Sequence, residues 1–117
     1  MLKKNYKNVE KIPVALEGTK DAYVRWLIDE KDGAKYYAMR RFEVKPGGCV
    51  PLHEHPEDHE IYILKGKAKF YNDAGNEEIV NEGDVLYIPP DEKHGIDNFG
   101  QQVLIFICIV PLLKSSN

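Results

Sequence analysis

The chain has 117 residues, 43% of them hydrophobic, and a formal net charge of −3, enough for one hydrophobic core and too little for two. It carries no basic stripe of the kind that binds nucleic acid. Its longest apolar run, 103–110, has eight residues against the roughly 20 that a membrane-crossing helix needs.

The first residues, with Lys3, Lys4, Lys7 and Lys11, read as a solvated basic segment, and 1–8 are expected to be loose. No apolar stretch follows them, so they are not expected to act as a secretory signal. Without that context the two cysteines, Cys49 and Cys108, are expected to remain reduced thiols in a cytoplasmic protein. Strands are predicted over 22–29, 36–45, 50–55, 59–65, 67–73, 77–80, 85–88, 94–98 and 102–110. Turn residues separate them, among them Asp32-Gly33, Pro46-Gly47-Gly48, Lys65-Gly66, Glu82-Gly83-Asp84 and Pro89-Pro90. The run from Asn72 to Asn76 reads as a hairpin loop, because Asn, Asp and Gly tolerate its backbone angles. Many short strands at this spacing indicate an all-β sandwich or barrel with little helix. The expected organisation is a single domain over 1–117, with a barrel core at about 22–112 and a loose end at 114–117.

Strand parity adds one residue of interest. Side chains alternate across a strand, so Arg40 shares a face with the apolar Ala38, Phe42 and Val44 and points inward. A buried arginine needs a partner. That partner is either a carboxylate elsewhere in the barrel or an anionic ligand. Trp26, Tyr62 and Tyr87 are assigned to the core.

All four histidines fall in two clusters, His53, His55 and His59 in one and His94, 35 residues later, in the other. His53 and His55, two apart on a strand, share a face. His59 is expected on the neighbouring antiparallel strand and His94 from the far side of the barrel. Imidazoles converging in an apolar hollow make a divalent metal site. Competing motifs are missing: there is no His-Glu-x-x-His, no Cys-x-x-Cys, no Gly-x-Ser-x-Gly and no phosphate-binding glycine loop.

The spacing resembles the two motifs of the cupin superfamily, over roughly residues 36–110. The first is carried by Gly47, His53, His55, then His59 or Glu60, and Gly66. The second is carried by Gly83, Pro89, Asp91 where the family has glycine, His94 and Asn98. Six residues lie between His59 and Gly66, as the motif requires, and only five between Glu60 and Gly66. The register favours His59 over Glu60 as the third ligand, and Glu60 is then expected to point away. The chain is thus similar to small single-domain cupins with a four-histidine site. The resemblance implies a jelly-roll β-barrel (a double-stranded β-helix), usually a homodimer, with one divalent ion from Mn, Fe, Ni, Cu or Zn.

Four neutral imidazoles leave the full dipositive charge on such an ion, which favours a small anionic or chelating ligand. In cupins of this type the last long strand lines the cavity, which makes Phe106 and Cys108 candidate walls beside Arg40. Ordinary core packing is the other reading of both. The leading functional expectation is a metal-dependent oxidoreductase of the dioxygenase type acting on a small molecule. An isomerase or lyase, and a non-catalytic module for a sugar or small acid, stand as alternatives. No catalytic group beyond the metal is identified.

Overall fold

The structure, a computed structural model, describes residues 1–113; the expectation for 114–117 lies outside the described residues. Nine strands form: β1 (Ile12–Pro13), β2 (Lys20–Ile28), β3 (Tyr37–His53), β4 (His59–Lys65), β5 (Ala68–Asn72), β6 (Glu77–Val80), β7 (Val85–Ile88), β8 (His94–Asp97) and β9 (Leu104–Pro111). Only two single 3₁₀ turns, Tyr6–Asn8 and Glu30–Asp32, interrupt the β-structure among the described residues. The hydrogen-bonded order is β6-β5-β8-β3-β9-β4-β7, with β2 and β1 added beside β3. The sheet curls so that its buried face closes around one apolar core, the jelly-roll barrel expected of an all-β chain.

The predicted strands 36–45 and 50–55 are one element. β3 passes through Pro46-Gly47-Gly48 without ending, and it changes partners there. Tyr37 to Val44 pairs with β9, and Cys49 to His53 pairs with β8. Gly47 takes a left-handed φ of +79°, and a Cβ on Gly48 would lie 2.8 Å from the carbonyl oxygens of Lys20 and Lys45. The glycine pair bends the strand instead of breaking it. This bend lets β3 carry Arg40 in one wall of the barrel and His53 in another.

Asn98 ties that bend to the second motif. It is 2% exposed, and its side-chain amide donates to the Val44 and Gln102 carbonyls at 2.8 and 2.9 Å. Its backbone exchanges bonds with Gly47 and Gly48. At Gly66 a Cβ would meet the Val103 carbonyl at 2.7 Å, and φ is +93°, so β4 can turn off closely against the start of β9 only with glycine there.

Two expectations are corrected. The start of the chain is pinned: Lys4 Nζ donates to the Leu27 carbonyl (2.8 Å), Arg25 donates to the Tyr6 carbonyl (2.8 Å), and the Tyr6 ring lies 4.0 Å from the Arg41 guanidinium. Trp26, Tyr62 and Tyr87 are not core residues, being 39%, 49% and 56% exposed. Tyr62 alternates with the inward Ile61 and Ile63 on β4, and Tyr87 lies on the outer face of the adjoining β7. The core is built from smaller branched side chains, including Val44, Ile63 and Leu104, each fully buried.

Candidate functional site

The barrel encloses a cavity of about 280 Å³ that reaches all four histidines, Arg40, Phe106 and Cys108. β3 ends at His53, and His55 lies in the loop that follows, so the expected strand over 50–55 is shorter than predicted. The two rings still come within 5.4 Å of each other, centroid to centroid. The approach of the other two reverses the sequence expectation. His94 is the cross-strand neighbour of His53, with ring centroids 4.4 Å apart. His59 comes from β4, which among the described strands pairs with β7 and β9, and reaches the cluster from the opposite wall. The partner change at the β3 bend produces this exchange, and residue spacing alone does not reveal it.

Three imidazoles are oriented by main-chain carbonyls. His53 Nδ1 faces the Pro51 oxygen at 2.9 Å, His55 Nδ1 the Glu57 oxygen at 3.2 Å, and His94 Nδ1 the Glu92 oxygen at 2.8 Å. A carbonyl only accepts, so each Nδ1 carries the ring proton and each Nε2 keeps a lone pair. One ring nitrogen from each of the three lies within 4.8 Å of the others. Neutral imidazoles with the second nitrogen hydrogen-bonded to a carbonyl are what a divalent ion requires. These three residues therefore fit a metal. The two motifs are also joined by backbone, since Asp91 N–H donates to the His55 carbonyl at 3.0 Å. Asp91, standing where the motif has glycine, adopts the left-handed φ of +63° that glycine would supply.

His59 has different surroundings. It is 4% exposed, and its Nε2 lies 2.8 Å from His55 Nε2. Its Nδ1 meets side chains, Arg40 Nη2 at 3.0 Å and Cys108 Sγ at 3.0 Å. Glu60 is exposed and faces away, as the glycine register implied. Burial lowers the pKa of His59 to about 2, with the Arg40 guanidinium adding to the shift. Burial lowers that of His94 to about 4, partly offset by the Glu92 carbonyl. The same desolvation lowers His55 and raises the Cys108 thiol. His55, His59 and His94 are thus held in their neutral, metal-binding form.

Arg40 points inward, as parity required, but no carboxylate partner is found among the described residues. Its guanidinium lies 5.2 Å from the Trp26 ring and 4.9 Å from the Phe42 ring. It donates to Cys108 Sγ at 3.1 Å, and its Nε is buried without a partner. The cavity lining contains no aspartate or glutamate. The two cysteines are unpaired, and Cys49, on the bend, takes no part in the lining. Sequence reasoning missed Val14, Ala15 and Leu16, which border the cavity between β1 and β2. Their only signal is a short apolar run after Pro13. It also missed Phe42 and Ile61, which the parity of Arg40 and His59 could have supplied.

Residues 40–110 match the Cupin_2 family model, a cupin domain. The chain is 38% identical over 74 residues to an oxalate-binding protein of Thermotoga maritima, covering 62% of this chain and 60% of that protein. It is 33% identical over 107 residues to the oxalate decarboxylase OxdC of Bacillus subtilis, covering 87% of this chain and 27% of the enzyme. The chain thus spans about three fifths and about a quarter of these two curated relatives. Among solved structures, the polyketide cyclase RemF of Streptomyces resistomycificus superposes with a TM-score of 0.91 at 33% identity, over 99% of this chain and 82% of RemF. A jelly-roll fold, both motifs present in order and a family model that matches residues 40–110 lead to one assignment: this chain belongs to the cupin family.

Proposed function

We propose that this cupin binds one divalent transition-metal ion through His53, His55, His59 and His94 and acts on a small organic molecule with an anionic or chelating end. The observation that carries the reading is the set of three Nδ1–carbonyl bonds, which leave each Nε2 lone pair free on imidazoles whose ring nitrogens come within 4.8 Å of one another. His59 is the fourth ligand in this reading, supported by its Nε2 at 2.8 Å from that of His55. Mn, Fe, Ni, Cu and Zn all accept imidazole. Such an ion would supply Lewis-acid polarisation of a bound oxygen and, if redox-active, electrons for O2 chemistry.

The chain's own part is to hold and balance the ligand. Neutral imidazoles beside a guanidinium leave the cavity positive, with no carboxylate in its lining. A negatively charged ligand group offsets that charge, and Arg40 is placed to receive it with its unpartnered Nε. The small-anion names of the oxalate-binding and oxalate decarboxylase relatives agree with this.

For the reaction, the reading is a dioxygenase-type oxidoreductase. It asks for no carboxylate base, and none lines the cavity. A second reading, a non-oxidative cyclase, is favoured by the likeness to RemF over 99% of the chain. Turnover of 2-oxo acids and 1,3-dicarbonyls with and without O2 separates them. Metal-dependent O2 uptake supports the first, and equal turnover in both atmospheres supports the second. Metal content of His59→Ala and Glu60→Ala tests the ligand set: loss in the glutamate variant alone would contradict it.

We also propose a homodimer. The outer face of β4 and β7 exposes Tyr62, Val85 (72%) and Tyr87 (56%), an apolar surface suited to a second copy. The two unpaired thiols suit a cytoplasmic setting.

A further inference from the structure

The cavity is polar at one level and apolar at the next, and strand register sets the division. Each strand that sends a polar group inward sends an apolar one two residues along the same face: Arg40 and Phe42 on β3, His59 and Ile61 on β4. The same step separates His94 from Ile96 on β8 and Cys108 from Phe106 on β9. Pairing among β3, β8 and β9 aligns like with like, whereas β4 is offset by one step, so that Ile61 faces Cys108 and Ile63 faces Phe106. Arg40 faces Cys108 and His53 faces His94 in the polar layer. Phe42 faces Phe106, and Ile96 lies between Val50 and Phe70, in the apolar one. Two residues of strand put the layers about 6.7 Å apart.

The apolar layer holds three aromatic rings among branched aliphatic side chains. The Phe42 and Phe106 rings stack at 4.9 Å with planes 12° apart, and Phe70 meets Phe106 edge-on at 5.7 Å. Phe106 and Phe70 are only 2% and 4% exposed, so this surface is the closed floor of the cavity.

We propose that the ligand is amphiphilic: one chelating, anionic head, such as a 2-oxo carboxylate or an enolised 1,3-dicarbonyl, carrying an apolar body that packs into the layer of Phe42, Ile61, Phe70, Ile96 and Phe106. The inference depends on the reading of the polar layer as the metal-and-anion end, and it goes beyond it by excluding a small dianion such as oxalate as the preferred ligand. The cavity, about 280 Å³, has the volume of about nine waters at ~30 Å³ each. A two-carbon dicarboxylate has no apolar surface for the floor. Bound at the head end, it leaves there either a void or water without polar partners. An apolar body in the same place gains the hydrophobic term. A second carboxylate turned toward the phenylalanines would be desolvated with nothing to pair it.

The test is calorimetric titration of the metal-loaded full chain with pyruvate, phenylpyruvate and oxalate. Pyruvate and phenylpyruvate share a head and differ in the body. Phenylpyruvate is expected to bind at least about tenfold tighter than pyruvate, and oxalate more weakly than phenylpyruvate. Val50→Leu, which adds a methylene to the floor, should lower phenylpyruvate affinity by a larger factor than pyruvate affinity, and an equal loss for both would count against the inference. Equal affinity for the two oxo acids, or tightest binding of oxalate, overturns the inference while the metal reading stands. Failure of the wild-type chain to take up metal, read by element analysis before any ligand is added, overturns that reading and this inference with it.

Discussion

The cluster divides into two kinds of histidine. His53, His55 and His94 each have Nδ1 against a main-chain carbonyl, whereas His59 has Nδ1 between Arg40 and Cys108. Carbonyls belong to the fold and can only accept, so the first three rings are aimed by the backbone whatever the side chains around them do. The direction and proton of His59 are set by two side chains, one that donates and one that can accept. To ligate through Nε2, His59 must carry its proton on Nδ1, where Cys108 Sγ at 3.0 Å receives it and Arg40 competes. Pre-orientation by backbone gives a rigid three-histidine base, and in the proposed site His59 is the adjustable fourth ligand.

Removing a backbone-held ligand gives the largest effect. His53→Ala should weaken metal binding by more than about 100-fold, beyond what loss of a supporting hydrogen bond produces. His59→Ala should cost less, about tenfold to 100-fold, because the three-histidine base survives. Competition titration against a chromogenic chelator ranks the two, and a larger loss at His59 would break the comparison. Arg40→Met removes the competitor of Cys108 and the anion's partner together. Metal binding should persist while affinity for an oxo-acid head falls by about tenfold to 100-fold, read by calorimetry on the metal-loaded variant.

The pH response follows from the lowered imidazoles. In the unfolded chain a histidine titrates near 6.5, while folded His94 holds off its proton to about 4 and His59 to about 2. As pH falls below about 6.5 the unfolded chain takes up protons that the folded chain refuses, so folding stability declines. The contribution of His94 is fully present above that pH and is lost as pH drops through about 4. Urea unfolding of chelator-treated protein between pH 7.5 and 4.5 should show this decline, with a shallower slope in His94→Ala. The smallest expected effect is at Asp91→Gly. Relief of the left-handed backbone, offset by the greater chain entropy that glycine loses on folding, should raise stability by about 0.5 kcal/mol. The site should be unchanged, since the bond to His55 comes from the backbone N–H.

Much of this was legible in the sequence, and what was not has physical causes. Alternation around Arg40 and the glycine register at Gly66 located an inward arginine and an outward Glu60, because both follow from the two-residue period of a strand. The wall from which each histidine arrives depends on which strands hydrogen-bond, and β3 changes partners at Gly47-Gly48, so His94 and His59 exchanged their expected places. The exposed Tyr62 and Tyr87 were misread as core because hydrophobicity alone does not separate an apolar outer face from a core. The short β1 and the Val14–Leu16 border had no period to read.

The most direct test of the account is the metal content of wild-type and His94→Ala protein purified without a histidine tag. One divalent ion per chain in the wild type and none in the variant is the predicted result. A metal-free wild type, or a variant that keeps its ion in full, would contradict the histidine site on which the account rests.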